Sequence, residues 1–212
     1  MYRKIVLYIT LLFNGSVSCL KQYPSKYISY RKIKDMYKDI YGNIYDTPNL
    51  EHIVPQSKLK KDPILKKDMH NILWYPRMLN IHRSNYKYTD DETIYEKSLI
   101  LDEQGLIYDG QFYNSTINSI KTANMNIFCP RTSLRGEISR SCLYFAYTYE
   151  KYKDIILGEV INKDILLEWH ETYPVTELEE IKNNKINKIQ GNSNIFISEP
   201  EFIYNYLKQV LK

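Results

Sequence analysis

The sequence predicts a helix-rich α+β fold, on three observations. Residues 27–41, YISYRKIKDMYKDIY, place Ile33, Met36, Tyr37, Ile40 and Tyr41 on one helical stripe, with lysines and aspartates on the other side. The stretch 50–85 holds three of the four histidines and no long apolar period, as a site-building segment would rather than scaffold. From Gly136 onward the helical period returns and continues almost to the carboxyl end.

The first helix ends at Gly42-Asn43, and Asp46-Thr47-Pro48-Asn49 is turn chemistry, so a short strand begins near Leu50. A second strand is expected around His70 to Leu73, reached through the turn from Pro55 to Pro63, and a helix opens at Pro76. Together these form a strand-strand-helix unit. Residues 102–136, rich in Gly, Asn, Ser and Thr, read as loops with one or two short strands. Ile138, Leu143, Ala146 and Tyr149 form a helical stripe, and Ile165, Leu166 and Trp169 lie on another short helix. Thr176 with Glu179 is a capping box, Gly191 closes the helix it opens, and Pro200 opens a last short helix.

A chain of 212 residues fits one domain, and 43% hydrophobic residues with only 7 Gly and 8 Pro exclude a disordered tail, a collagen-like rod or a disulfide miniprotein. The net charge of +4 permits a polyanionic partner without demanding one. The 21 tyrosines read as core and surface residues rather than a stacking platform.

Arg3 and Lys4, the apolar run from Ile5 to Phe13, and the small polar residues 14–18 have the layout of a secretory signal peptide over residues 1–18, leaving a single domain over 19–212. The expectation is a secreted or extracytoplasmic monomer without a membrane span; the alternative is a buried amino-terminal strand in a cytosolic protein. Cys19, Cys129 and Cys142 include no Cys-x-x-Cys, which argues against a thiolate zinc site. An oxidising compartment would allow a Cys129–Cys142 disulfide; three reduced thiols are the other reading.

The chemistry-bearing residues lie in Glu51-His52-Ile53-Val54-Pro55-Gln56-Ser57, Asp68-Met69-His70-Asn71-Ile72-Leu73 and Pro76 to Asn85. Helical spacing puts Asn80, Arg83 and Ser84 on one face. One carboxylate (Glu51) and one amide oxygen (Asn80) leave most of an octahedral Mg²⁺ shell to waters and phosphate oxygens, with Mn²⁺ or Ca²⁺ as substitutes. His52 can take a proton from an attacking water near neutral pH. Arg83 or Arg77 can hold a phosphate. The combination points to phosphodiester hydrolysis, whereas the plainer reading is a turn histidine beside a solvated glutamate. Lys58, Lys60, Lys61, Lys66 and Lys67 crowd the connection between the strands, where Lys58 and Lys61 are candidates to track a phosphate backbone and a solvated loop is the alternative. His70 is expected to be structural, His82 exposed and His170 a packing residue; a zinc site from His52, His70 and His82 matches no common spacing.

The runs EHIVPQS, DMHNI and NIHRSN resemble the bacterial endonuclease I family, secreted or periplasmic nucleases of the ββα-metal (His-Me finger) class. Downstream, Arg135-Gly136-Glu137-Ile138-Ser139-Arg140, Trp169 with Tyr173-Pro174-Val175, and Glu179, Asn183 and Gln190-Gly191-Asn192-Ser193-Asn194 resemble further landmarks of that family, in order. The resemblance implies a ββα-metal core over about residues 48–88 embedded in helices, His52 as general base, and Glu51 and Asn80 as metal ligands. It also implies Arg83 and Arg140 near the cleft, each either binding phosphate or pairing structurally, and cleavage of DNA, and of RNA if the groove tolerates a 2′ hydroxyl, to leave 5′-phosphate ends. The interval between His52 and Asn80 lacks an obvious counterpart of a basic residue often found there, for which Arg77 or a lysine among Lys58 to Lys67 is the candidate substitute; Lys182 stands where arginine is usual, and Ile195 where proline is usual. No base-reading module is visible, so little sequence preference is expected. The rival is a binding or inhibitory protein that retains the fold without turnover.

Overall fold

The computed structural model describes residues 23–24, 28–42, 48–90, 100–101, 107–108, 111–114, 126–130 and 132–210; the signal peptide expected over residues 1–18, and Cys19, lie outside them. The first helix, α1 (Tyr30–Tyr41), buries Ile33, Met36 and Tyr37 as its pattern predicts. Ser29 caps it by accepting from the Lys32 amide, and Gly42 ends it at φ 59°, a conformation that costs glycine little.

Strand β1 (Pro48–His52) pairs antiparallel with β2 (Ile72–Pro76), so that Glu51 faces Leu73 and His52 faces Ile72. The second strand starts later than expected. His70 lies before it in a 3₁₀ turn (Met69–Asn71), because Asp68 accepts from the His70 amide and holds the chain in a turn there. Helix α2 (Arg77–Arg83) follows β2 and lies against both strands, as the strand-strand-helix reading requires. Beyond it, β3 (Lys87–Tyr88) runs parallel to a later strand, and β4 (Ile100–Leu101) pairs with β5 (Ile107–Tyr108). β6 (Gln111–Asn114) pairs antiparallel with β7 (Asn126–Cys129), which is the partner of β3.

The carboxyl half is helical. Helix α3 (Thr132–Thr148) is buried at every residue from Arg135 to Thr148. The expected single stripe is therefore a helix enclosed on all sides, which is the position of a central element. Gly136 is required there: a Cβ would stand 2.8 Å from Tyr173 O and 2.9 Å from Tyr173 Cβ. An irregular helical segment, 150–160, leads to α4 (Lys163–Thr172), and α5 (Glu177–Gln190) carries the predicted capping box and ends at Gly191 with φ 86°. Two short helices, α6 (Ile195–Ser198) and α7 (Phe202–Val210), close the fold; α6 has no counterpart in the sequence reading.

Two apolar clusters result. The larger surrounds α3 and includes Tyr144, Phe145, Trp169 and Phe196; the smaller joins α1, β2 and α5 through Ile33, Tyr37, Ile72, Trp74 and Ile186. Between them sits Asp68, fully buried, which accepts from Tyr144 Oη (2.9 Å), Tyr149 Oη (2.7 Å) and Gln190 Nε2 (2.9 Å). Such a carboxylate is tolerated inside because its lone pairs are satisfied. The adjacent His70 donates from Nε2 to Asn192 O at 3.1 Å, a structural role as expected.

Cys129 and Cys142 are both buried and remain thiols, so the expected disulfide is not formed. Cys129 Sγ instead lies 3.2 Å from Arg135 Nη2, and burial pushes the Cys142 thiol up to about 12. Among the described residues no helix is long and apolar enough to cross a membrane.

Burial pushes the pKa of His70 down to about 4, against the opposing pull of Asp68. The folded state therefore favours the neutral ring, and the stability this contributes is fully present above the unfolded pKa of about 6.5 and is lost as pH falls towards 4. Urea unfolding is expected to show a loss of roughly 1.4 kcal/mol per pH unit across that window. His70→Gln, which keeps a donor, should have a flatter profile over the same range.

Candidate functional site

The end of β1 is held by a single side chain. Arg83 of α2 reaches Glu51 Oε1 (2.6 Å), His52 O (2.8 Å) and Ile53 O (2.6 Å), with its guanidinium 4.5 Å from the centre of the Tyr88 ring. It is 1% exposed. One turn earlier, Asn80 Nδ2 donates to Leu50 O at 3.2 Å. Asn80 and Arg83 stand three residues apart on one helix face, so α2 binds the carbonyls of residues 50, 52 and 53 in succession. From the other side Asn71 clamps the same segment, accepting from the Val54 amide (2.7 Å) and donating to Val54 O (3.0 Å).

His52 projects from this braced segment with only 8% of its surface exposed. Its Nε2 is 2.7 Å from Lys66 O. A carbonyl only accepts, so Nε2 carries the proton and Nδ1 holds the lone pair. Gln56 Nε2, four residues along the chain, donates to Nδ1 at 3.2 Å. Burial lowers the pKa of His52, with the charges of Arg83 and Lys66 adding to that effect and the bond to Lys66 O opposing it. The ring is therefore a neutral base at neutral pH.

Glu51 is 4% exposed, and burial pushes its carboxyl up to about 7 even though Arg83 pulls the other way. One guanidinium shared with two carbonyls leaves this carboxylate under-compensated. A divalent cation beside it would supply the missing charge, and Asn80, whose amide nitrogen is engaged with Leu50 O, keeps its amide oxygen as a second hard donor on the adjoining helix. The donor set of one carboxylate and one amide oxygen fits a hard cation that keeps most of its waters. Among the described residues no three His, Cys, Asp or Glu side chains gather into a metal-binding group, and His70 is turned to Asn192 O.

In front of His52 opens a cavity of about 560 Å³ lined by Tyr30, Arg31, Lys34, Asn49, Leu50, His52, Gln56 and Asn80. Glu51 lies between two of these residues on β1 but is not among the lining itself. Tyr30 meets His52 edge-on, with ring centres 6.4 Å apart, and donates its hydroxyl to the same Lys66 carbonyl at 3.2 Å.

Other expected substrate contacts are placed elsewhere. Arg140 is 1% exposed, forms a two-point ion pair with Glu179 (2.7 and 2.8 Å) and donates to Tyr173 O. It ties α3 to α5, so of the two roles open to it, phosphate binding and structural pairing, the fold gives it the second. Arg83, expected to hold a phosphate, is enclosed and braces Glu51 instead. Lys58 is paired with Glu159 at 2.6 Å. Lys61 is exposed in the turn after β1 and Arg77 is exposed at the start of α2, and neither lines the cavity. His170 donates to Pro200 O at 2.9 Å and packs on Phe196, as expected of a packing residue. Lys182, in place of an arginine, pairs with Glu137 and donates to Ile72 O (both bonds under 3 Å), joining α5 to β2.

Sequence reasoning missed Tyr30, Arg31 and Lys34, which looked like the solvated face of an amphipathic helix, and the Lys66 carbonyl, which carries no sequence signal at all. Gln56 was within reach, since it follows His52 by four residues in the EHIVPQS run.

The site thus combines a braced Glu-His pair with an amide on the adjoining helix at an open cavity. Residues 18–201 match the family model described as Endonuclease I, and the chain belongs to that family. It is similar to an extracellular ribonuclease of Bacillus subtilis (strain 168), 28% identical over 178 residues that cover 76% of this chain and 54% of that protein. It is also similar to an extracellular deoxyribonuclease of Aeromonas hydrophila, 26% identical over 134 residues, which cover 62% of this chain and 49% of the relative. A periplasmic deoxyribonuclease from the same organism is 25% identical over 134 residues, covering 62% of this chain and 47% of the relative. The chain spans about half the length of these relatives.

Replacing Arg83 by Met strands the buried Glu51 charge. The variant is expected to lose about 3–5 kcal/mol of unfolding free energy. Adding Glu51→Gln removes the stranded charge, so the double variant should recover part of that loss in the same denaturant titration.

Proposed function

We propose that the protein is an exported, metal-dependent endonuclease that hydrolyses phosphodiester bonds with little sequence preference, with His52 as general base and one Mg²⁺ held by Glu51 and Asn80 on a ββα-metal core. The observation that carries the reading is the bond from His52 Nε2 to the Lys66 carbonyl, which leaves Nδ1 as a neutral base at the cavity. Family membership supports hydrolysis of nucleic acid, and the names of the relatives, ribonuclease and deoxyribonuclease, support both substrates. The extracellular or periplasmic character of those relatives, together with the layout of residues 1–18, supports export.

In this reading a water in the cavity gives its proton to His52 Nδ1 as its oxygen forms a bond to phosphorus. The bond from phosphorus to the 3′ oxygen breaks, and that oxygen leaves with the bonding pair, so the product carries a 5′-phosphate. Gln56 donates to Nδ1 in the resting site and yields that position to the water. Lys66 O keeps the ring in one tautomer and orientation throughout, and stabilises the imidazolium that forms. Arg83 keeps Glu51 and the His52 backbone in register and touches no substrate atom. The bound cation supplies positive charge for the phosphate oxygens and the leaving oxygen.

Cleavage of supercoiled plasmid and of a structured RNA is expected to stop in EDTA and return with Mg²⁺. His52→Ala should lose at least about two orders of magnitude in kcat, the scale of general base catalysis. Asn80→Ala should cleave poorly while requiring more Mg²⁺ for half-maximal rate. Full activity of His52→Ala, or cleavage indifferent to EDTA, would overturn the reading.

A further inference from the structure

Every cation expected to bind substrate proves to be paired inside the fold or to stand away from the cavity. The cavity is nonetheless lined by two others. Arg31 and Lys34 of α1 border the same space as His52 and Asn80. Both are exposed, and neither forms an ion pair among the described residues.

Their placement follows from the helix. At about 100° per residue, Tyr30, Arg31 and Lys34 fall within one arc of roughly 100°. The acidic residues Asp35 and Asp39 lie on a different face, where with Lys32, Lys185 and Lys188 they line a separate groove of about 850 Å³. The helix thus turns two positive charges and no negative one to the cavity, while Ile33, Met36 and Tyr37 hold it to the core. Its first turn is tied to the site itself. Tyr30 donates to Lys66 O, the carbonyl that orients His52, so α1 and the base share one anchor.

We propose that Arg31 and Lys34 form the substrate-binding wall of the site, gripping phosphates of the nucleic-acid strand next to the one cleaved. The proposal rests on the nuclease reading above. A polyanion is the ligand this chemistry selects: two cations three residues apart, beside a neutral imidazole and three amide side chains, can meet successive phosphates. Arg31 offers a forked pair of donors to one phosphate and Lys34 a point charge to another. They come from an element that precedes the β1–β2–α2 unit in the chain.

The test is the salt dependence of kcat/KM for a fluorescent oligonucleotide with the full chain and Mg²⁺. Arg31→Gln and Lys34→Gln should each make the log-log slope shallower by roughly one unit. KM should rise several-fold in each while kcat changes less, and Arg31→Lys should restore the slope. Lys32→Gln, on the other groove, serves as the control and should match wild type. Unchanged slope and KM in the double variant would overturn the proposal. The same series is repeated as binding of the oligonucleotide to His52→Ala, read by fluorescence anisotropy. A shallower binding slope upholds the wall even if His52 proves not to be the base, and an unchanged one rejects it even if His52 is.

Discussion

The site depends on how one buried cation holds the end of a short strand. Arg83 binds the Glu51 carboxylate and the carbonyls of His52 and Ile53 at once, and is closed over by Tyr88. A two-strand sheet is marginal on its own, and α2 has seven residues and no side-chain amino-terminal cap. Neither would fix a side chain closely by itself. The guanidinium couples them: its two terminal nitrogens meet acceptors on β1, just past it at Ile53 and at Ser84 at the end of α2, so the strand end and the helix are placed relative to each other. His52 and Asn80, one from each element, consequently face the same cavity.

Behind this unit the carboxyl-terminal helices form a wall stitched by buried polar side chains. Lys182 and the Tyr37 hydroxyl both meet the Ile72 carbonyl, joining α5 and α1 to β2. Asp68 gathers hydroxyls from α3 and its carboxyl-terminal end together with the Gln190 amide from α5, just after the turn that presents the Lys66 carbonyl to His52. Breaking any of these bonds would leave a buried group unsatisfied, which is costly. The network therefore holds the histidine's carbonyl partner in place over a long span of sequence.

Much of this was legible in the sequence. The amphipathic period of α1, the capping box at Thr176 and the stop at Gly191 are local signals, and the structure places them where the pattern does. The strand-strand-helix order around Glu51, His52 and Asn80 was legible for the same reason. What sequence could not supply was which charges are enclosed. Arg140 and Arg83 stayed open between phosphate binding and structural pairing, because arginine in a motif looks the same whether it meets a phosphate or a buried glutamate. Arg31 and Lys34 read as a solvated face because that is the usual fate of polar residues on such a helix. Cys129 and Cys142 were paired on compartment alone, while the fold encloses each in its own surroundings.

The central claim is that His52 is held as a neutral base with its lone pair on Nδ1. Nitrogen-15 NMR of the His52 ring in the folded protein at neutral pH measures this directly. A protonated, pyrrole-type Nε2 and a pyridine-type Nδ1 are expected, with the Nε2 proton shifted by its bond to Lys66 O. A proton on Nδ1, or a doubly protonated ring at neutral pH, would contradict it.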